Sequence, residues 1–103
     1  MPFPFVGLPR LQVRPALVVS AKPLGTTPPL AWSLMITSAA NKGWPGDISL
    51  EDRFRECGLP SPSVIRTAKI GTVEIMEARA VGRLPDDIME DVIARLRANF
   101  GMA

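Results

Sequence analysis

Two kinds of hydrophobic pattern run along this chain. Up to about residue 84 the apolar positions come as short runs rich in β-branched residues, cut apart by Pro, Gly and Ser, and such runs predict strands. In "VRPALVVSA" (13–21) the strand is expected to begin at Ala16, because Pro15 lacks a backbone donor and belongs at a strand's start or edge. "LAWSLMITS" (30–38) is a second strand, "ISL" (48–50) a short one, "SVIRTAKIGTVEI" (63–75) a long one with a bulge or kink expected at Gly71, and "ARAVGRL" (78–84) a last short one. Residues 1–12, 22–29, 39–47 and 59–62 read as loops, and "EDRFREC" (51–57) as about two helical turns ended by Gly58. After residue 84 the period changes. Ile88, Met89, Val92, Ile93, Leu96 and Phe100 fall on one helical stripe. Pro85 suits the first turn, the acidic residues cluster at the N-terminal end, Arg95 and Arg97 lie toward the C-terminal end, and Gly101 stops the helix. The sum predicts a mainly β single domain over residues 1–103: a small, twisted, mostly antiparallel barrel closed by a C-terminal α-helix.

Composition narrows the chemistry more than it changes the fold. A chain of 103 residues builds one modest core, so support from a second copy is expected. Residues 1–84 carry ten Lys/Arg against six Asp/Glu, a net of +4, and the remainder is mildly acidic, which suits a polyanionic partner. There is no histidine, so no Ser–His or Cys–His nucleophile and no histidine-bearing zinc site can form within the chain. One cysteine, Cys57, allows no intrachain disulfide and fits a reducing cytoplasm. The start reads as no secretory signal, and no apolar stretch is long enough to span a bilayer. No P-loop, GxGxxG or CxxC pattern occurs, and the acidic residues show no metal-ligand spacing, so no cofactor is expected.

Several polar residues nevertheless sit where chemistry needs them. Arg14 stands at the start of an apolar strand, where its fixed donors can meet phosphate oxygens; an aggregation gatekeeper would look the same. Thr37 and Ser38 end the second strand with two hydroxyls able to donate to a phosphate, or simply with a strand residue and a loop residue. Asn41, Lys42 and Trp44 combine amide, cation and aromatic ring, a set suited to single-stranded nucleic acid, though Trp44 could equally cover the core edge. On the long strand, alternation places Arg66 on one face and Thr67 and Lys69 on the other, as RNA contacts or as a solvated sheet face. Met35, Met76 and Met89 are expected to fill the core.

Taken in order, "RPALVVS" (14–20), "LMITSA" (34–39), "GWPGDISL" (43–50), "PSVIRTAKI" (62–70) and "GRLPDDIMEDVIARLR" (82–97) resemble the MazF/PemK family of type II toxin–antitoxin toxins over nearly the whole chain. The resemblance implies an SH3-like barrel, a homodimer, and a metal-independent endoribonuclease that cuts single-stranded RNA and is silenced by a cognate antitoxin. It maps the family's catalytic arginine onto Arg14 and its catalytic hydroxyl onto Thr37, and it places Arg66 and Thr67 near the RNA face or dimer surface. Such chemistry needs no histidine, because the nucleophile is the RNA's own 2′-hydroxyl. Two other readings of the same resemblance stay open: a non-catalytic toxin that binds a protein such as a gyrase, and an inactive relative that binds an antitoxin or represses its operon on DNA. The departure that favours the inactive relative lies at the start. Family members begin with a strand carrying a "GD" pair, whereas this chain starts at the "PFPF" segment, which implies a missing strand and an open barrel edge.

Overall fold

The computed structural model describes residues 2–7 and 13–101. Six strands form one antiparallel sheet: β1 (Pro2–Gly7), β2 (Val13–Val18), β3 (Leu30–Ser38), β4 (Asp47–Ser49), β5 (Ser63–Glu74) and β6 (Ala78–Arg83), followed by the helix α1 (Asp86–Asn99). Their order across the sheet is β4-β5-β3-β2-β1-β6. The mainly β architecture with one C-terminal helix is therefore as expected.

The start of the chain is not. Residues 2–7, read as loop, form a strand that pairs with β2 on one side and β6 on the other. The position expected to be an open edge is thus filled, with residues 8–12 of the same segment lying outside the described residues. β2 likewise starts earlier than Ala16. It pairs with β1 through Val13–Pro15 and with β3 through Ala16–Val18, so Pro15 sits at the changeover between neighbours, where a missing donor is tolerated.

Among the described residues β4 and β6 share no ladder, so the sheet is curled rather than closed by hydrogen bonds. The seam is bridged by residues 51–58. These form tight turns with hydrogen bonds spanning three residues, from the amides of Arg53, Glu56, Cys57 and Gly58 to the carbonyls of Leu50, Arg53, Phe54 and Arg55, instead of the expected helix. So short a segment gains little from helical propagation. The turns let Leu50, Cys57 and Leu59 all reach the core. Gly58, with φ +79°, lies against the backbone of Val81 and Gly82, and a side chain at either glycine would strike the opposing main chain.

The core joins Leu17, Leu34, Ile36, Ile48 and Ile65 of the sheet to Leu50, Cys57 and Leu59 of the turn segment and to Leu84, Ile88 and Val92 at the helix. Burial pushes the Cys57 thiol up from its ordinary value, which keeps it unreactive. The helical stripe is narrower than its apolar residues suggest. Ile88 and Val92 are buried and Met89 and Leu96 pack beside them, but Ile93 and Phe100 lie on the stripe's outer flank and stay exposed. Of the methionines, Met89 flanks the core, Met35 points to the opposite sheet face, and Met76 is 79% exposed on a 3₁₀ turn.

Long-strand irregularity occurs at a different place from Gly71, which pairs in register with Ser33. Leu34 faces Ile70 while the next residue, Met35, faces Arg66, so Thr67, Ala68 and Lys69 form a bulge in β5. The bulge breaks the simple alternation and lets both Arg66 and Thr67 be buried.

Candidate active site

The two faces of β2 and β3 divide by parity. Leu17, Leu34 and Ile36 face the core, whereas Ala16, paired with Met35, belongs to the other face. Continuing that register by two residues sets Arg14 opposite Thr37, on the side away from the core. The two residues share a cleft of about 300 Å³ with Ser38, Asn41 and the Pro60–Ser61 turn. An adjoining hollow runs from Arg14 past Met35 to Lys69 on the β5 bulge, so two cations flank one continuous path across the sheet.

Around Thr37 the polar groups are assigned. The Asn41 side-chain amide donates to the Thr37 hydroxyl oxygen at 3.1 Å. Because that oxygen already accepts, the hydroxyl proton remains available to a phosphate oxygen in the cleft. The Ser38 hydroxyl accepts from the Ala40 amide at 3.2 Å and caps the 3₁₀ turn Ala39–Asn41, which carries Asn41 back over Thr37.

The other expected contacts are placed differently. By the β3–β5 register Arg66 lies on the same face as Thr37, but the loop 39–47 folds over it and leaves it 5% exposed. Its Nε and Nη2 donate to the Asp47 carboxylate at 3.2 and 3.1 Å, Nη2 also donates to the Asn41 carbonyl, and the guanidinium lies 4.3 Å from the Trp44 ring centre. Thr67 is also buried and donates to the Gly46 carbonyl at 2.7 Å. Arg66 and Thr67 are thus buried beneath the loop rather than exposed on a solvated sheet face. Trp44, 47% exposed, caps Arg66 rather than the core edge. Lys42 is exposed and reaches Glu51 at 3.4 Å, and Lys69 is exposed on the bulge.

Asp47 is the residue that sequence reasoning missed. Its Oδ2 also accepts the amides of Gly43 and Trp44, each at 3.2 Å, which closes the loop on itself. The Arg66 hydrogen bonds hold its carboxyl below the usual range, and these amides add to the effect against the opposing cost of burial. The pairing of β4 with β5 sets Asp47 directly opposite Arg66, a contact that no local pattern in the sequence marks. Among the described residues no group of three or more acidic or cysteine side chains is placed to hold a metal ion.

A curled six-stranded sheet with an arginine and a threonine lining one cleft defines a small β-sheet protein whose open face, away from the helix, carries that cleft. Residues 6–100 match the family described as PemK-like, MazF-like toxin of type II toxin–antitoxin system. The chain belongs to that family. Among solved structures it is similar to the Mycobacterium tuberculosis toxin MazF-mt6, with TM-score 0.77 and 19% identity over 100% of this chain and 99% of that one. It is also similar to a chain of the MazE–MazF crystal structure (Form-II) from Deinococcus radiodurans, with TM-score 0.74 and 20% identity over 99% of this chain and 93% of that one. At these identities the likeness is one of fold. Comparison with curated protein sequences finds no match.

Proposed function

We propose that this toxin is a metal-independent endoribonuclease acting on single-stranded RNA. The observation that carries the reading is the convergence of Arg14 and Thr37 in one cleft, with Asn41 bonded to the Thr37 hydroxyl. In the reaction the RNA's 2′-oxygen bonds to the adjacent phosphorus and the bond to the 5′-oxygen breaks, giving a cyclic phosphate and a 5′-hydroxyl. Arg14 and Thr37 donate hydrogen bonds to the non-bridging oxygens of the phosphorane-like transition state, and the leaving 5′-oxygen takes its proton from water. A guanidinium is too costly to deprotonate to serve as the general base, so the 2′-hydroxyl proton passes to solvent. Lys69 and Arg14 line the path for the RNA backbone, and Lys42 and Trp44 flank it from the loop side.

A homodimer and a cognate antitoxin complete the reading. The MazE–MazF structure to which the chain is similar supports an antitoxin partner, and the net of +4 over residues 1–84 favours an acidic docking segment. No helix among the described residues is long and apolar enough to cross a membrane. The deciding experiment is cleavage of a long single-stranded RNA in EDTA by the wild type and Arg14→Ala. Cutting that survives EDTA and falls about 10²–10³-fold with Arg14→Ala supports the mechanism. No cutting by the wild type sinks it and leaves a binding protein.

A further inference from the structure

We propose that Arg66, clamped by Asp47, is a positioning residue that sets the direction of the Thr37 hydroxyl through Asn41. Its catalytic consequence rests on the ribonuclease reading; its geometry does not.

Burial of an ion pair rarely stabilises a fold more than well-packed apolar side chains would, so a buried Arg66–Asp47 pair calls for another reason. What this pair holds is the loop that ends on the cleft. The Arg66 and Asp47 side chains are 6% and 9% exposed. Two guanidinium–carboxylate hydrogen bonds fix the Arg66 plane, Trp44 covers it, and its Nη2 grips the Asn41 carbonyl. From that anchored backbone the Asn41 side chain reaches Thr37 at 3.1 Å. A hydroxyl has a single proton. With Asn41 donating to its oxygen, that proton is turned away from Asn41, toward the cleft that Arg14 shares.

The far end of the loop is fixed by the same strand. Thr67 holds the Gly46 carbonyl, and a side chain at Gly46 would strike the Thr67 hydroxyl. The strand register turns Arg66 toward the loop, and the bulge that begins at Thr67 lets the next residue turn to it as well, a use to which bulges beside active sites are put. The chain of direct contacts runs Asp47, Arg66, Asn41, Thr37. A donor already aimed needs no reorientation when charge develops on the phosphate.

The test is a double-mutant cycle on steady-state RNA cleavage in EDTA with Arg66→Lys, Asn41→Ala and the double variant, joined to NMR of the Asn41 side-chain amide and the Thr37 methyl. Arg66→Lys keeps the charge and loses the fork, and Asn41 is exposed, so its truncation leaves the core intact. Each single change is expected to lower kcat about tenfold with KM unchanged within about twofold. The double variant is expected to be no slower than Asn41→Ala alone, because Arg66 acts through Asn41. Losses that multiply, or that appear in KM, overturn the proposal. In Arg66→Lys the Asn41 and Thr37 resonances are expected to move while those of α1 stay. Resonances that do not move overturn the clamp whether or not RNA is cut. A wild type that cuts no RNA, in a protein whose resonances respond as expected, refutes the ribonuclease reading and not the clamp.

Discussion

Asp47→Ala is the most informative perturbation of stability. It removes the acceptor of two Arg66 hydrogen bonds, at 3.2 and 3.1 Å, and of the Gly43 and Trp44 amides at 3.2 Å. What remains is a guanidinium in a site where its side chain is only 6% exposed. Stranding one member of a buried pair costs about 3–5 kcal/mol. For a domain this size that lowers Tm by about 12–40 °C, at roughly 4–8 °C per kcal/mol. Since whole domains are stable by about 5–15 kcal/mol, the variant is expected to sit near its unfolding threshold. Urea unfolding followed by far-UV circular dichroism measures this, with an unchanged m-value showing that the same cooperative unit melts. Asp47→Asn retains one acceptor and is expected to lose less. The pH dependence gives a second check. The folded Asp47 carboxyl titrates below its ordinary value. Its stabilisation is therefore fully present above about pH 4 and is lost as pH falls through the folded value. The stability gap between wild type and Asp47→Asn should narrow below about pH 4. A loss under about 1 kcal/mol for Asp47→Ala, or a gap that stays constant into strong acid, refutes the account of the clamp.

Three further outcomes follow from other parts of the molecule. Thr37→Val keeps the shape and removes the donor, so RNA cleavage is expected to fall about 10²-fold while Thr37→Ser stays within about tenfold of wild type, both read by initial rates on one RNA. Leu84→Ala opens a cavity where β6 meets α1, at a residue with no exposed surface, and is expected to cost about 2–5 kcal/mol by urea unfolding. Lys69→Ala removes an exposed cation on the Arg14 path, so RNA affinity measured against salt should lose about 0.7 from its logarithmic slope, with little dependence on RNA sequence.

Most strand positions and the final helix were legible in the sequence for one physical reason. Each depends on a local period or on a register that adjacent strands share. What was not legible depended on contacts made across long stretches of chain. The segment "PFPFVG" carries two prolines and reads as loop, yet β2 and β6 together hold it as a strand. "EDRFREC" has helical composition, but the close approach of Gly58 to Val81 and Gly82 favours turns. Arg66 is the sharpest case. Its place on the strand gives the correct face, and only the loop folding back from Ser38 to Asp47 converts an apparent surface cation into a buried one. Ile93 and Phe100 err the other way, since the helical period counts them as core while the sheet beneath covers only the Ile88–Val92 side.

The pairing of the first strand with the last also governs how the chain comes together. Val6 faces Ala78, and Pro2 faces Arg83. During synthesis at roughly 5–20 residues per second, β1 waits about 4–15 s for its second neighbour to be made. In that interval it can form a hairpin with β2 but presents a bare edge on its other side, the kind of edge that recruits a foreign strand. Contacts of such long span also make closure of the sheet a late and slow step in folding.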